Sequence, residues 1–153
     1  MPTVRSEITI AAPLEPVYAL TRDIERFPEF MEDVEEVEIL EQTPEEQTPQ
    51  RQVSRWVGVI REFHRQIKWT EEDFWNDTEH SCRFTQLEGD FTSYAGTWEF
   101  VREGEQTRVV LTIEYEYVVP LIGALIQKLL LKKMAANSEA MLAAIKGKLE
   151  GSI

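Results

Sequence analysis

Cysteine occurs once in the 153 residues, as Cys82. One thiol closes no internal disulfide and builds no cysteine-based zinc knuckle. It fits a reducing compartment, so a cytoplasmic protein is expected. Histidine occurs twice, as His64 and His80. His80 and Cys82 stand close in sequence, but no further ligand type completes a set around them, so no metal and no cofactor is expected. The seven glycines include no pair with dinucleotide-fingerprint spacing and no phosphate loop. No serine sits in a nucleophile elbow. Basic residues are scarce: 16 Lys and Arg face 28 Asp and Glu, for a formal net charge of -12. That balance repels phosphate backbones, so nucleic acid is not an expected partner. Long apolar runs are also missing. The opening segment MPTVRSEITIAAP has no apolar core for a signal peptide. The most apolar stretch, Val118–Leu131, falls short of the roughly 20 residues that span a bilayer.

What is present is globular: 42% hydrophobic and 29% charged residues, with no shift of composition along the chain. One domain over residues 1–153 is expected. Val4, Ser6, Ile8 and Ile10 alternate with polar residues and predict a first strand with one buried face. Pro13 and Pro16 open a helix whose stripe is Val17, Leu20 and Ile24, and Asp23–Phe30 predicts a second short helix or turn. Val34, Val37 and Ile39 begin a second strand, and Gln42–Gln50 reads as a hairpin loop. Strands follow at about Arg51–Ile60, Arg61–Phe74, Ser81–Leu87, Phe91–Arg102 and Thr107–Val119. From Pro120 to about Leu149 the period is helical. The acidic runs Glu71-Glu72-Asp73 and Glu45-Glu46 could bind a cation but read first as a solvated strand end or loop. Consecutive strands with short joints predict an antiparallel sheet with the helices to one side.

The faces of these strands carry the functional signal. Phe63, Ile67 and Trp69 share one face of the fourth strand, with Arg65 between them. Tyr94, Gly96, Trp98 and Phe100 share a face of the sixth, and Val109, Leu111, Ile113, Tyr115 and Tyr117 a face of the seventh. Trp56 and Phe84 come from the third and fifth. This is either a plain core under the long helix or the wall of an aromatic-lined cavity for an apolar ligand, with tyrosine and tryptophan tips supplying orientation. Arg65 is expected inward: paired to a carboxylate, reaching to the cavity mouth, or holding a ligand oxygen. A one-residue bulge would instead turn it out.

The last helix is apolar on nearly all sides over its first turns, through Leu121, Ile122, Ala124, Leu125, Ile126, Leu129, Leu130 and Leu131. Such a helix is deeply buried or meets an apolar partner. Residues 121–153 hold five lysines and two glutamates, a charge of +3 against -15 for the rest. Pro120 and Gly123 would let its start act as a lid that admits ligand and touches a membrane transiently.

Three stretches carry a family resemblance. Ile10-Ala11-Ala12-Pro13-Leu14-Glu15-Pro16-Val17-Tyr18-Ala19-Leu20 resembles the opening strand and helix of the START-related helix-grip superfamily. Asp23-Ile24-Glu25-Arg26-Phe27-Pro28-Glu29-Phe30-Met31 is similar to its aromatic-Pro-x-aromatic turn. Leu87-Glu88-Gly89-Asp90-Phe91, followed by Tyr94, Gly96, Thr97, Trp98, Glu99 and Phe100, resembles the signature of the polyketide cyclase/dehydrase and lipid-transport branch and of coenzyme-Q-binding START proteins. Position 90 is Asp where many relatives have Pro. The resemblance implies an α+β helix-grip fold: a curved seven-stranded antiparallel sheet wrapped around a long C-terminal helix, with two short helices after the first strand.

It also implies the function classes. The first is a non-enzymatic carrier for a lipid, isoprenoid quinone or polyketide. Trp56, Phe63, Arg65, Ile67, Trp69, Phe84, Tyr94, Trp98, Leu111, Ile113, Tyr115 and Tyr117 would line its cavity, with Ile122, Leu125, Ile126 and Leu129 as lid or wall. The second is an aromatase/cyclase, in which Arg65 holds a ketone oxygen and Tyr94 or Tyr115 relays a proton. The third is an interaction module that docks the apolar start of the last helix, either on another protein or, as a homodimer rather than a monomer, on a second copy.

Overall fold

The computed structural model describes residues 2–44, 49–117 and 123–151, with every side chain among them except that of Glu62. The chain runs β1 (Thr3–Ile10), α1 (Leu14–Arg22), a 3-10 turn (Ile24–Arg26), α2 (Phe27–Phe30), β2 (Val34–Gln42), β3 (Gln50–Ile60), a second 3-10 turn (Arg61–Phe63), β4 (Arg65–Asn76), β5 (Ser81–Gly89), β6 (Ser93–Glu103), β7 (Gln106–Glu116) and α3 (Ala124–Leu149). The seven strands form one antiparallel sheet in the order β1-β7-β6-β5-β4-β3-β2. This is the expected helix-grip arrangement, with β1 and β2 as its edges.

The alternation in β1 is realised: Val4, Ser6 and Ile10 are buried and Ile8 is half-buried, while Arg5, Glu7 and Thr9 face water. In α1, Leu14, Val17, Leu20 and Thr21 are buried, and Thr21 returns its hydroxyl to the Val17 carbonyl at 2.9 Å. Phe27 then enters the core as the chain turns into β2. On α3 the inward residues are Leu130, Met134, Ser138, Leu142 and Ile145, spaced three or four apart as one face of a helix requires. The far end of α3 is tied to the start of the chain. Glu150 accepts the Ala11 N–H at 2.8 Å, and Lys146 donates to the Thr9 carbonyl at 2.9 Å.

The structure corrects one strand boundary. The fourth strand starts at Arg65 rather than Arg61, because the chain leaves Ile60 through a tight turn. His64 closes that turn in the left-handed region at φ 50, so that Ile60 pairs directly with Arg65. Phe63 therefore lies in a turn and is half-buried rather than standing on a strand face.

Candidate functional site

A cavity of about 90 Å³ opens between the inner face of the sheet and α3. Eight of the expected residues line it: Trp56, Ile67, Trp69, Phe84, Tyr94, Trp98, Leu111 and Ile113. They converge because period-two alternation on β3 to β7 sends them all to one side. Met134, Asn137, Ser138 and Met141 close the space from α3, and Phe91 comes from the turn before β6. The walls are flat. The indoles of Trp56 and Trp69, cross-strand partners, stack at 5.7 Å between centroids with planes 7° from parallel. Phe91 stacks on Tyr94 at 4.6 Å and 22°. Each such pair contributes about 0.5–1.5 kcal/mol beyond burial.

A second hollow of about 120 Å³ adjoins the first, since Ile60 and Ile67 border both. Phe63, Arg65, Tyr117, Ile126 and Leu130 complete it. Arg65 keeps the parity of Ile67 and Trp69, so no bulge reverses it. It is nonetheless exposed, as the first residue of β4. Its guanidinium lies 5.8 Å from the centre of the Tyr117 ring, a cation–π contact at the rim of this second hollow. Arg65 does not reach the main cavity's lining.

Three further expectations change. Leu125 is 79% exposed and Leu129 37%, so neither is a cavity wall. They lie off the Leu130–Met134–Ser138 face, on the exposed first turns of α3. Tyr115 is fully buried but stands behind Phe91, with ring centroids 6.2 Å apart, and its hydroxyl has no partner among the described residues. It supports the wall without lining it. Ile122 and Pro120, with the lid they were expected to form, lie outside the described residues, as do Glu45 and Glu46.

The feature that the sequence reading missed is a buried acid pair. Glu71 and Asp73 are 5% and 2% exposed, and Glu71 lines the cavity. They are not a solvated strand end. The alternation that turns Ile67 and Trp69 inward continues through 71, 73 and Trp75, while Glu72 faces out and pairs with Arg51 at 2.6 Å. That continuation was the available signal. The pair is held by donors. Trp69 Nε1 donates to Glu71 Oε1 at 2.8 Å, and Ser54 Oγ donates to Asp73 Oδ2 at 2.8 Å. Trp56 Nε1 donates in turn to Ser54 Oγ at 2.9 Å. Burial, and then the charge of Asp73, push the Glu71 carboxyl well above the usual carboxylate range. Burial also raises Asp73, against the hydrogen bonds from Glu71 and Ser54 that lower it. Both carboxyls are thus harder to ionise than exposed ones, Glu71 the more strongly. The same burial, with the nearby acids, raises the Tyr94 phenol well above its ordinary value.

Residues 10–142 match the family of polyketide cyclases/dehydrases and lipid transport proteins. The chain belongs to that family. Among solved structures, TTHA0849 from Thermus thermophilus is 39% identical, with 99% of each chain covered and a TM-score of 0.89. The ZhuI aromatase/cyclase from Streptomyces sp. R1128 is 23% identical over 97% of this chain and 93% of its own, with a TM-score of 0.82. At that identity the likeness shows the shared fold. The ribosome association toxin RatA of Escherichia coli K12 is 24% identical over 138 residues, 90% of this chain and 82% of RatA. Among the described residues no group of three His, Cys, Asp or Glu is placed to hold a metal ion. No described helix is long and apolar enough to cross a membrane.

Proposed function

We propose that this family member binds and carries a hydrophobic small molecule in the cavity between the sheet and α3, without transforming it. The observation that carries this reading is the convergence of Trp56, Trp69, Tyr94, Trp98, Leu111 and Ile113 on one space left unfilled by their own side chains. A filled core would have no such space at the centre of the sheet. Apolar contact supplies the affinity, at about 0.8 kcal/mol per buried methylene. Leu125, Ile126 and Leu129, exposed beside Lys128 and Lys132, give the start of α3 an apolar, basic edge suited to transient contact with a membrane surface. The net charge of -12 works against the ribosome association in RatA's name.

Native mass spectrometry of the purified protein, paired with organic-solvent extraction, tests the reading. A stoichiometric lipid, quinone or polyketide released by the solvent is the expected result. A mass equal to the bare chain, together with no binding of any apolar probe, would overturn it.

The aromatase/cyclase reading is carried by the fold shared with ZhuI, and its weak point is Arg65. An arginine that steers a ketone should stand inside the cavity, and this one stands at the rim of the adjoining hollow. Arg65→Ala is accordingly expected to leave apolar-ligand affinity within about twofold and stability within about 0.5 kcal/mol, as for an exposed site. Loss of poly-β-ketone turnover in that variant, measured by product profile, would restore the enzyme reading.

A further inference from the structure

The polar groups of the main cavity are acids and neutral groups: Asp33, Glu71, Tyr94, Asn137, Ser138 and three indoles. Among the described residues that line it there is no lysine, arginine or histidine. Its acids are Asp33, already paired with Arg61 at 3.2 Å, and Glu71. Both indole N–H groups of the stacked wall are occupied, one by Ser54 and one by Glu71. Asn137, which donates to the Val59 carbonyl at 3.5 Å, and Trp98 and Ser138 also border the space, but beside Trp69 two hydrogen-bonding functions stand together.

The first is Tyr94. It is 9% exposed, it lines the cavity, and its hydroxyl makes no hydrogen bond among the described residues. An O–H that opens on an apolar cavity and has no partner in the protein is available to a ligand acceptor. The second is Glu71, whose Oε1 takes the Trp69 N–H on one lone pair and retains the other. The indole of Trp69 joins the two. Its ring lies 5.1 Å from that of Tyr94, and its N–H is the group bound to Glu71. One face of the cavity thus offers an O–H donor beside a carboxyl acceptor, next to flat aromatic walls.

A hydroxyl group is the complement of that pair, since it donates one hydrogen bond and accepts another. A carboxylate or phosphate is not. It brings only acceptors, and it would lie against a buried acid pair with no cation in the lining to offset the repulsion. A plain hydrocarbon fits the walls but leaves the Tyr94 hydroxyl unpaired.

We propose that the cavity selects a neutral, planar ring compound bearing a hydroxyl group, which accepts from Tyr94 and donates to Glu71 while its ring lies along the Trp56–Trp69 wall. This rests on the ligand-binding reading above. Anionic lipids and fatty acids are excluded as preferred ligands.

The test uses three single-ring compounds of nearly one shape: p-cresol, p-xylene and 4-methylbenzoate. Each is titrated into the full chain at neutral pH and followed by amide chemical shifts. p-Cresol is expected to bind at least about tenfold tighter than p-xylene, the ratio set by one buried hydroxyl gaining or lacking its partner. 4-Methylbenzoate is expected not to reach saturation. In Tyr94→Phe, p-cresol should lose most of its advantage over p-xylene, keeping only what its bond to Glu71 supplies, and p-xylene should be unchanged. That variant removes an atom with no partner among the described residues, and the amide spectrum reports whether the fold persists. Equal binding of p-cresol and p-xylene to the wild type would overturn the hydroxyl selection and leave the ligand-binding reading standing, and so would tightest binding by 4-methylbenzoate. Failure of all three to shift cavity residues would count against the ligand-binding reading as well. Were Tyr94→Phe to misfold, the wild-type ratio alone would decide.

Discussion

Gly96→Ala is expected to destabilise the protein by about 3–5 kcal/mol, or to prevent folding outright. A Cβ at this position would lie 2.1 Å from the Thr112 carbonyl oxygen and 2.5 Å from Cζ of Phe84. The first obstacle is backbone. Gly96 pairs with Ile113 on β7, and Thr112 is held in the same ladder, so its carbonyl cannot retreat without breaking the β6–β7 pairing. The second obstacle is a cavity wall, because Phe84 is the cross-strand partner of Gly96 on β5 and its ring occupies the space that the missing side chain leaves. Strand pairing and site shape are thus damaged together. Urea denaturation measures the effect. Gly147→Ala provides the contrast: it lies in α3 with nothing within 4 Å of the added Cβ, and it should stabilise by about 0.5–1 kcal/mol. Two glycines responding alike would remove the close-approach argument.

Glu71→Gln is expected to raise stability, and the gain should grow with pH. Both Glu71 and Asp73 have their folded pKa above the unfolded value. The native chain therefore holds protons that the unfolded chain has released. The pair's stabilising effect is complete below about pH 4, where unfolded carboxyls titrate. It is lost as pH rises through the folded values. Glutamine keeps the shape, can accept the Trp69 N–H and donate to Asp73, and does not ionise. The melting temperatures of wild type and variant should lie close together at pH 5. They should diverge by several degrees at pH 8–9, corresponding to about 1–3 kcal/mol for a buried charge relieved. A difference independent of pH would mean that the pair does not titrate as its burial requires. Glu71→Ala should behave in the opposite way, since it strands the Trp69 N–H and removes the group that hydrogen-bonds Asp73.

Much of the fold was legible because hydrophobic period reports directly on which face is buried. The β1 alternation, the β6 face through Tyr94, Trp98 and Phe100, and the β7 face through Tyr115 all hold, as does the order of elements. Half of the expected site residues line the main cavity, and Phe63, Arg65, Tyr117 and Ile126 line the adjoining hollow. The misses have separate causes. Phe63 falls in a turn that only the left-handed His64 reveals, and Arg65 keeps its parity but stands at the exposed start of β4. Leu125 and Leu129 are apolar, and apolarity alone does not tell an exposed helix end from a packed one. Glu71 and Asp73 were dismissed because three adjacent acids look solvated, although alternation puts the first and third inward.

The residue pattern by itself determined the antiparallel sheet, the long final helix, the aromatic inner face and the absence of the motifs needed for nucleotide or zinc chemistry. Those follow from local periodicity and residue type. Only the tertiary structure decided that the inner face is not fully packed, that Arg65 stands at a rim, and that two carboxyls are buried side by side beneath an indole. Each of these depends on how far the sheet stands from α3 and on which donors from β3 meet acids from β4. Such distances arise between residues far apart in sequence, and no local period encodes them.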